Sequence, residues 1–577
     1  MGRRERGGRP EGRAVRANRG GLSAPWLAID WERNRRPLIW GIFAMLAGLF
    51  ALYEGRRDEV AGQMSDDAWY LLLAKALAEG EGYTLINSPT PGIMPLYPPG
   101  FPFLLSLVWR LGPGFPENLW LLKMVSILAM LGVALLAWIH FHRDRKVPAL
   151  VAIGISLAIA SSPAFLFLAG STVMAECVFT LTQLGAVWAI ERTVRAARME
   201  GVGWRLWGWV GLSSGLAVSS LMIRSIAAVI PLLAVLYLLR HRLVRVAGVF
   251  ALTSLLLYLP WMLHSRQHLP TSMQRAEQNS YIVQSYAENF WFRMASYERS
   301  GRITLDELPT RVLRNLNTIF EFDLGAMLVY PFYRALEPKE VLLNFWGNHY
   351  LAMGISLLVL LGYGLVLRRG ASFAEWLLPG TLSIVVLWPF FPLRFLLPLA
   401  PWIMLYFLEG VRGVHGWLDG RQWREGPWGT SLWILLLLTG VNLLSHGQYL
   451  VSLRGEVEQR PNWVRMFAEN QQVFKWLQQE RSSGVETAEG AEWGVASNNP
   501  GMIYLYTGLK SVGSTDPATH WELWKGLGIR YYAIVGAYPD RLPEAPEGAF
   551  AKRYHSPTTN FRVVDFGPSN SRPNWSP

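Results

Sequence analysis

The sequence predicts a polytopic α-helical membrane protein with a small α/β domain after its last span. Three observations lead there. Of 577 residues, 51% are hydrophobic and only 17% charged, a balance outside the range of an ordinary soluble chain. Apolar runs begin at Leu38, Leu119, Ala149, Val173, Trp207, Ile226, Val246, Asn348, Trp376, Phe395 and Trp428, which gives about eleven spans by hydropathy. Beyond the last run the chain turns polar and carries short β-type segments between helical ones.

The elements follow in chain order. Residues 1–36 are rich in arginine and lack a short apolar stretch with a cleavage site. They read as a disordered basic cytoplasmic tail, and Leu38 opens a first span that stays in the protein. Basic residues then cluster at 142–146, 192–198, 240–242, 368–369 and 412–424. With the N-terminus in the cytoplasm, all five clusters fall on the cytoplasmic side and the C-terminus lies outside. The formal charge of +12 is then an orientation signal, and no nucleic-acid partner is expected. Cys177 is the sole cysteine, so neither an intrachain disulfide nor a cysteine metal cluster can form. The 27 tryptophans read as an interfacial belt, with stacking on sugars as the alternative. No internal repeat is evident.

Three exterior segments are long. The first, 54–118, opens with Ser65-Asp66-Asp67 ahead of an amphipathic helix over 66–79, for which Ser65 is the expected N-cap. Its residues 99–111 read as a helix lying along the interface. The second segment, 264–347, is polar with scattered aromatics. The third, 447–577, predicts helices over 463–479 and 519–527 and strands over 493–497, 501–506 and 531–535. The membrane domain thus covers 37–446.

Hydrocarbon penalises charge, so ionisable groups at the edge of spans ask for a task. Asp66, Asp67, Glu176, Arg224, His264, Arg266 and Arg394 all fall at one exterior depth, which suggests a cavity for an anionic, hydroxylated ligand. Each also has a plainer reading. The aspartates can complement a helix N-terminus. Glu176 can be satisfied between helices, and the arginines can snorkel to headgroups. His264 and His268 share a helix face without the acidic neighbour of a zinc motif. The residues name no cofactor, and a divalent metal is possible.

Ser65-Asp66-Asp67-Ala68-Trp69-Tyr70-Leu71, with Leu77-Ala78-Glu79-Gly80-Glu81-Gly82-Tyr83 after it, resembles the first-loop pattern of GT-C glycosyltransferases. Tyr97-Pro98-Pro99-Gly100, Arg394-Phe395-Leu396-Leu397-Pro398 and Asn499-Pro500-Gly501 through Gly508 resemble the same group, near the bacterial relatives of protein O-mannosyltransferases and lipid A aminoarabinose transferases. The family's acidic pair is often Asp-Glu, whereas here the second acid is Asp67. The aminoarabinose enzymes carry an acid before the Pro-Pro pair, where this chain has Leu96-Tyr97.

The resemblance implies a GT-C-like fold in the bacterial inner membrane. It also implies inverting transfer of a sugar from a polyprenyl-phosphate donor to a hydroxyl acceptor outside the cytoplasm. On that reading Asp66 and Asp67 are the catalytic candidates, with Asp66 as base. Glu176, Arg224, His264, Arg266, Arg394 and Tyr97 are the substrate-binding candidates. Two residues adjacent on a helix point about 100° apart, so only one aspartate faces the reaction centre. The tail is expected to recruit the acceptor or cover the cavity. A transporter or flippase is the rival, but paired discontinuous helices in related halves are not visible. A non-catalytic scaffold would leave the exterior charges without a task.

Overall fold

The structure is a computed structural model that describes residues 31–199, 203–278, 280–295, 300–328, 348–390, 392–420, 428–456, 459–483, 493–513, 517–536, 553–555 and 562–565. The basic tail expected over 1–36 lies outside these residues up to 30, and the remaining part is helical, since the first helix runs Trp31–Arg56. The end of the second exterior segment, 329–347, also lies outside the described residues.

Seven described helices are long and apolar enough to cross a membrane. They are Arg36–Arg56, Leu119–Asp144, Trp204–Ile223, Val244–Gln267, Tyr350–Arg369, Leu393–Leu418 and Trp428–Arg454. Ala149–Ala160 and Pro163–Gly170 make an eighth if the pair, bent by 54°, counts as one span. This is fewer than the about eleven expected from hydropathy. The runs opening at Ile226 and Trp376 fold into the short helices Ser225–Arg240 and Phe373–Val385. The run from Val173 becomes Glu176–Met199, whose charged residues remove it from a test of apolarity although the helix is long.

Many large apolar side chains point outward from the bundle, among them Trp40, Phe43, Leu252, Leu255, Leu256, Trp433, Leu436 and Leu437. In water such faces would associate; in a bilayer, lipid tails are their solvent. The chain is an integral, multi-pass membrane protein.

The charges of Glu176–Met199 sort to its two ends. At the C-terminal end Asp144 pairs with Arg192 (2.9 Å) and Arg195 (2.5 Å). Arg145 joins Glu191 (3.3 Å) to Glu375 (3.2 Å), and Arg198 donates to His241 at 2.6 Å. Glu409 pairs with both Arg369 and Arg412 at 2.8 Å. These contacts bring the basic connections together at one end of the bundle. Glu176 sits at the opposite end, about 22–33 Å from them at 1.5 Å per residue.

The segment 54–118 forms helices Asp66–Glu79 and Gly100–Trp109, as the pattern predicted. Ser65 occupies the N-cap position at a φ of 58° without a side-chain cap bond, and the Asp67 carboxylate takes the amide of Ala68 in the helix together with those of Gly62 and Met64 ahead of it.

After the last span, helices Asn462–Ser482, Pro500–Thr507 and Pro517–Gly526 accompany a five-stranded sheet of order β2-β1-β3-β5-β4. Its strands are β1 (Gly494–Ser497), β2 (Ser511–Gly513), β3 (Ile529–Ala533), β4 (Arg553–His555) and β5 (Arg562–Asp565). β2, β1 and β3 run parallel, joined by helical crossovers, and β5 and β4 add antiparallel. The strand expected over 501–506 is instead the helix Pro500–Thr507. Asn499 caps it, Pro500 sits in its first turn and Gly508 ends it in the left-handed conformation, so terminal signals outweigh the apolar run.

This region packs on the segment 54–118. Asn87 and Ser511 exchange two hydrogen bonds, at 2.7 and 2.9 Å, and Trp463 Nε1 donates to the Ser171 carbonyl at 3.3 Å.

Candidate active site

The site is assembled where the segment 54–118 meets the helix ends. Lys123, fully buried, donates to the carbonyl of Asp58 (2.7 Å), to its carboxylate (2.9 Å) and to the carbonyl of Gly170 (2.8 Å). One ammonium thereby has its three protons satisfied, and the start of the loop is pinned to the Leu119–Ile139 helix. Asp67 then accepts from the amides of Gly62 (2.8 Å), Met64 (2.9 Å) and Ala68 (3.0 Å). Its carboxylate is fully buried and organises the turn. Burial pushes it up to about 6, with the Asp66 charge acting in the same direction and the three amides acting against.

Asp66, one residue earlier, turns to the other side. Its Oδ1 accepts from the hydroxyls of Tyr281 (2.5 Å) and Tyr97 (2.6 Å), and its Oδ2 from Arg394. Arg394 donates through Nε to Glu176 Oε1 at 2.5 Å, and Arg224 donates to the same oxygen. Burial acts to raise Asp66, but the Arg394 charge and the hydrogen bonds from Tyr281, Tyr97 and Arg394 outweigh it and hold the carboxyl below its ordinary range. Burial and the adjacent Asp66 charge push the Tyr97 and Tyr281 phenols well above theirs, so both stay protonated donors.

Local sequence explains the convergence. Arg224 follows the Trp204–Ile223 helix in extended backbone (φ −144°, ψ 129°), which swings it across the helix end, with its guanidinium 5.3 Å from the Phe395 ring centroid. Arg394 stands in the single turn Leu393–Leu396 after Pro392. The Tyr83 hydroxyl donates to the carbonyls of Tyr97 (3.0 Å) and Pro98 (3.3 Å), fixing the turn that aims Tyr97. That turn ends at Gly100, where a Cβ would lie 2.7 Å from the Met222 carbonyl oxygen, too close for any side chain.

The cluster holds two carboxylates against two guanidiniums. Side-chain exposures are 0% for Glu176, 11% for Arg224, 13% for Asp66 and 19% for Arg394, so the arginines and Asp66 meet the outside and Glu176 only anchors them. Among the described residues, Arg224 Nε and Nη2 and Arg394 Nη1 have no hydrogen-bond partner, which leaves donors available for an anion.

Of the residues singled out from the sequence, Asp66, Tyr97, Glu176, Arg224 and Arg394 meet here. Asp67 is adjacent but faces its own turn. His264 and Arg266 are exposed at the end of Val244–Gln267, with the His264 ring tilted against that of His268 at 4.3 Å between centroids, and neither bonds to the cluster. Tyr281 was not anticipated, because one tyrosine in a long polar loop carries no periodic signal. Lys123 was legible in principle as a lone cation inside an apolar run.

Among the described residues no three His, Cys, Asp or Glu side chains gather, and both carboxylates of the cluster are already paired with arginines.

No family model matches the chain, and no curated protein matches it in sequence. Its fold is that of the GT-C membrane glycosyltransferases. It is similar to ArnT from Cupriavidus metallidurans bound to undecaprenyl phosphate, at 11% identity and a TM-score of 0.51, over 93% of this chain and 99% of that one. It is similar as well to the archaeal oligosaccharyltransferase AglB from Archaeoglobus fulgidus in complex with an inhibitory peptide and a dolichol-phosphate, with 12% identity, a TM-score of 0.50, and coverage of 88% and 70%. The Archaeoglobus fulgidus oligosaccharyltransferase in complex with zinc and sulfate gives 14% identity, a TM-score of 0.52, and coverage of 85% and 67%.

Proposed function

We propose that the protein is an inverting glycosyltransferase that moves a sugar from a polyprenyl-phosphate donor to a hydroxyl acceptor on the exterior membrane face. The observation that carries this reading is the shared use of Arg394, which holds Asp66 and Glu176 at once while spare guanidinium donors remain beside it. The fold's neighbours include proteins bound to undecaprenyl phosphate and dolichol-phosphate, which supports a lipid phosphate as the ligand of those donors.

In this mechanism Arg224 and Arg394 bind the donor phosphate. The phosphate competes with Asp66 for Arg394 and so frees Oδ2. Asp66 takes the proton of the acceptor hydroxyl as its oxygen forms a bond to the anomeric carbon. The bond from that carbon to the phosphate oxygen breaks on the opposite face, and its electron pair leaves with the lipid phosphate. A positioned base of this kind is worth roughly 10²–10⁴-fold. Phosphate is a good leaving group whose developing charge needs guanidinium stabilisation rather than a proton. Tyr97 and Tyr281 keep Asp66 ionised and aimed, and Asp67 shapes the turn that presents it.

The five joined basic connections support a cytoplasmic location for that end of the bundle. The cluster and the C-terminal sheet region then face the exterior. The short helices Ser225–Arg240 and Phe373–Val385, with Glu176–Met199 and the bent pair, supply the remaining crossings toward about eleven. A transporter would place its polar groups at the midplane, whereas these sit at helix ends.

The test is Asp66→Asn in proteoliposomes. Transfer from an undecaprenyl-phosphate-linked hexose to a membrane extract should fall by roughly two orders of magnitude while undecaprenyl phosphate still binds. Normal turnover in that variant would remove Asp66 from the mechanism.

A further inference from the structure

Asn499 opens a motif, Asn499-Pro500-Gly501, that the proposed chemistry leaves without a role. It stands outside the membrane part, far along the chain from Asp66, yet it is 1% exposed. Its Nδ2 donates to the Gly62 carbonyl at 2.7 Å, and its Oδ1 accepts from the Met502 amide at 3.3 Å. The amide of the same Gly62 donates to Asp67 Oδ2 at 2.8 Å. Gly62 is thus held on both sides, by Asn499 on its carbonyl and by Asp67 on its amide. Its φ of +86° is a left-handed conformation that favours glycine, and a Cβ there would meet Met502 Cγ at 3.2 Å. The Pro500–Thr507 helix lies directly against Ala68 and Trp69, the first turn of the helix that carries Asp66.

A second strap runs alongside. Gln63 Nε2 donates to the Trp463 carbonyl at 2.9 Å, and Asn470 donates to Gln63 Oε1 at 2.9 Å. Asn470 in turn accepts from the Gly536 amide at 3.2 Å. The hydroxyl of Tyr506 donates to the Ala61 carbonyl at 3.2 Å. Residues 61, 62 and 63 are each tied to the C-terminal region by a hydrogen bond of their own. A seam of buried, satisfied polar groups specifies one geometry. An acceptor-recruiting module would not need to grip the chain three to five residues before the base.

We propose that Asn499 is a positioning residue for Asp66. Through the Gly62 peptide it fixes Asp67, and Asp67 sets the turn from which Asp66 projects. The region after the last span is then part of the scaffold of the base, in addition to any contact it makes with an acceptor. The claim rests on Asp66 being the base, and it predicts a separable effect. Misplacing a catalytic group by about 1 Å can lower turnover about 10²-fold without touching substrate affinity. Undecaprenyl phosphate would still meet Arg224 and Arg394, which Asn499 does not contact.

The experiment uses the full chain in proteoliposomes, with an undecaprenyl-phosphate-linked hexose as donor and undecaprenyl phosphate as the binding probe. Asn499→Asp keeps the oxygen that caps the Pro500–Thr507 helix and removes the N–H donor to Gly62. Asn499→Leu removes both. Val495→Ala, a core truncation inside β1, serves as the control for general loosening of this region. The expected result is a kcat lower by about tenfold or more in both Asn499 variants, with binding of the probe within about twofold of the parent. Val495→Ala should lower Tm while keeping kcat within about twofold of the parent. If Asn499→Leu fails to insert, Asn499→Asp decides.

A kcat unchanged in the Asn499 variants would overturn the proposal. So would a parallel loss of kcat, probe binding and Tm shared with Val495→Ala, since that pattern describes only a less stable fold. Asp66→Asn runs beside them. If it keeps full turnover, the assignment of the base has failed. If it is inactive while the Asn499 variants are normal, the positioning claim alone has failed.

Discussion

Tyr281→Phe tests the electrostatics of the site most directly. The substitution deletes one hydroxyl, leaves the ring packed 5.9 Å from that of Tyr97, and removes one of the two phenolic hydrogen bonds on Asp66 Oδ1. A hydrogen bond to a charged acceptor contributes about 1.5–3 kcal/mol, and one pKa unit corresponds to about 1.4 kcal/mol. Taking the lower value, because Tyr97 and Arg394 remain, the Asp66 carboxyl should rise by about one unit. The sign follows from the role. As the proposed base Asp66 works ionised, so activity should be present above its pKa and lost as the pH falls through it. The parent holds this group below the ordinary carboxylate range, so its acid limb lies there, and the limb of Tyr281→Phe should move toward higher pH. Burial and the Asp66 charge push Asp67 up to about 6, above the range of Asp66, so the shift is read on the more acidic limb. The assay is kcat/KM for an undecaprenyl-phosphate-linked hexose across the acidic range, because that quantity reports the free enzyme. The limb in kcat should lie higher than that in kcat/KM, since bound phosphate competes for Arg394. An acid limb in Tyr281→Phe that coincides with the parent's would refute the argument that the phenol stabilises the ionised base.

Arg394→Lys should weaken undecaprenyl phosphate binding by about tenfold, because a point charge cannot bridge Asp66, Glu176 and a phosphate as a planar fork does; equal binding would reassign the phosphate to Arg224. Lys123→Met strands the Asp58 carboxylate, whose side chain is 7% exposed, and should destabilise the protein by about 3–5 kcal/mol, read as a lower denaturation midpoint in detergent. An unchanged midpoint would show that the buried pair does not hold the loop. Reporter fusions after Arg198 and after Gly447 should report opposite sides of the membrane, and the same side for both would sink the topology.

Much of the fold was written in the sequence because a bilayer imposes one-dimensional rules. A chain crossing hydrocarbon must be apolar over a set length and must satisfy its backbone within each helix, so runs such as Leu119–Ile139 and Trp428–Arg454 are readable without their neighbours. Charge asymmetry between loops is likewise a linear signal, and the clusters at 142–146, 192–198 and 368–369 do share one end. Ionisable residues at helix ends stood out for the same reason, which is how Asp66, Glu176, Arg224 and Arg394 could be grouped before any contact was known.

Tertiary structure decided what those groups do to one another. Adjacent aspartates are equivalent in sequence, but Asp67 turns to the amides of Gly62, Met64 and Ala68 while Asp66 turns to Tyr97, Tyr281 and Arg394. No periodicity encodes that choice, because it depends on a loop pinned by Lys123 on one side and Asn499 on the other. Length and apolarity alone single out seven described helices, because charge or proline interrupts the apolar run in others, as in Glu176–Met199 and the bent pair at Pro163, where partners elsewhere in the bundle satisfy those residues. The helix over Pro500–Thr507 was missed because its cap residues were outweighed by an apolar stretch that reads equally well as a strand. Sequence thus fixes which side chains a membrane will tolerate and at what depth. Only packing brings a tyrosine from one loop and an arginine from a distant turn onto the same carboxylate.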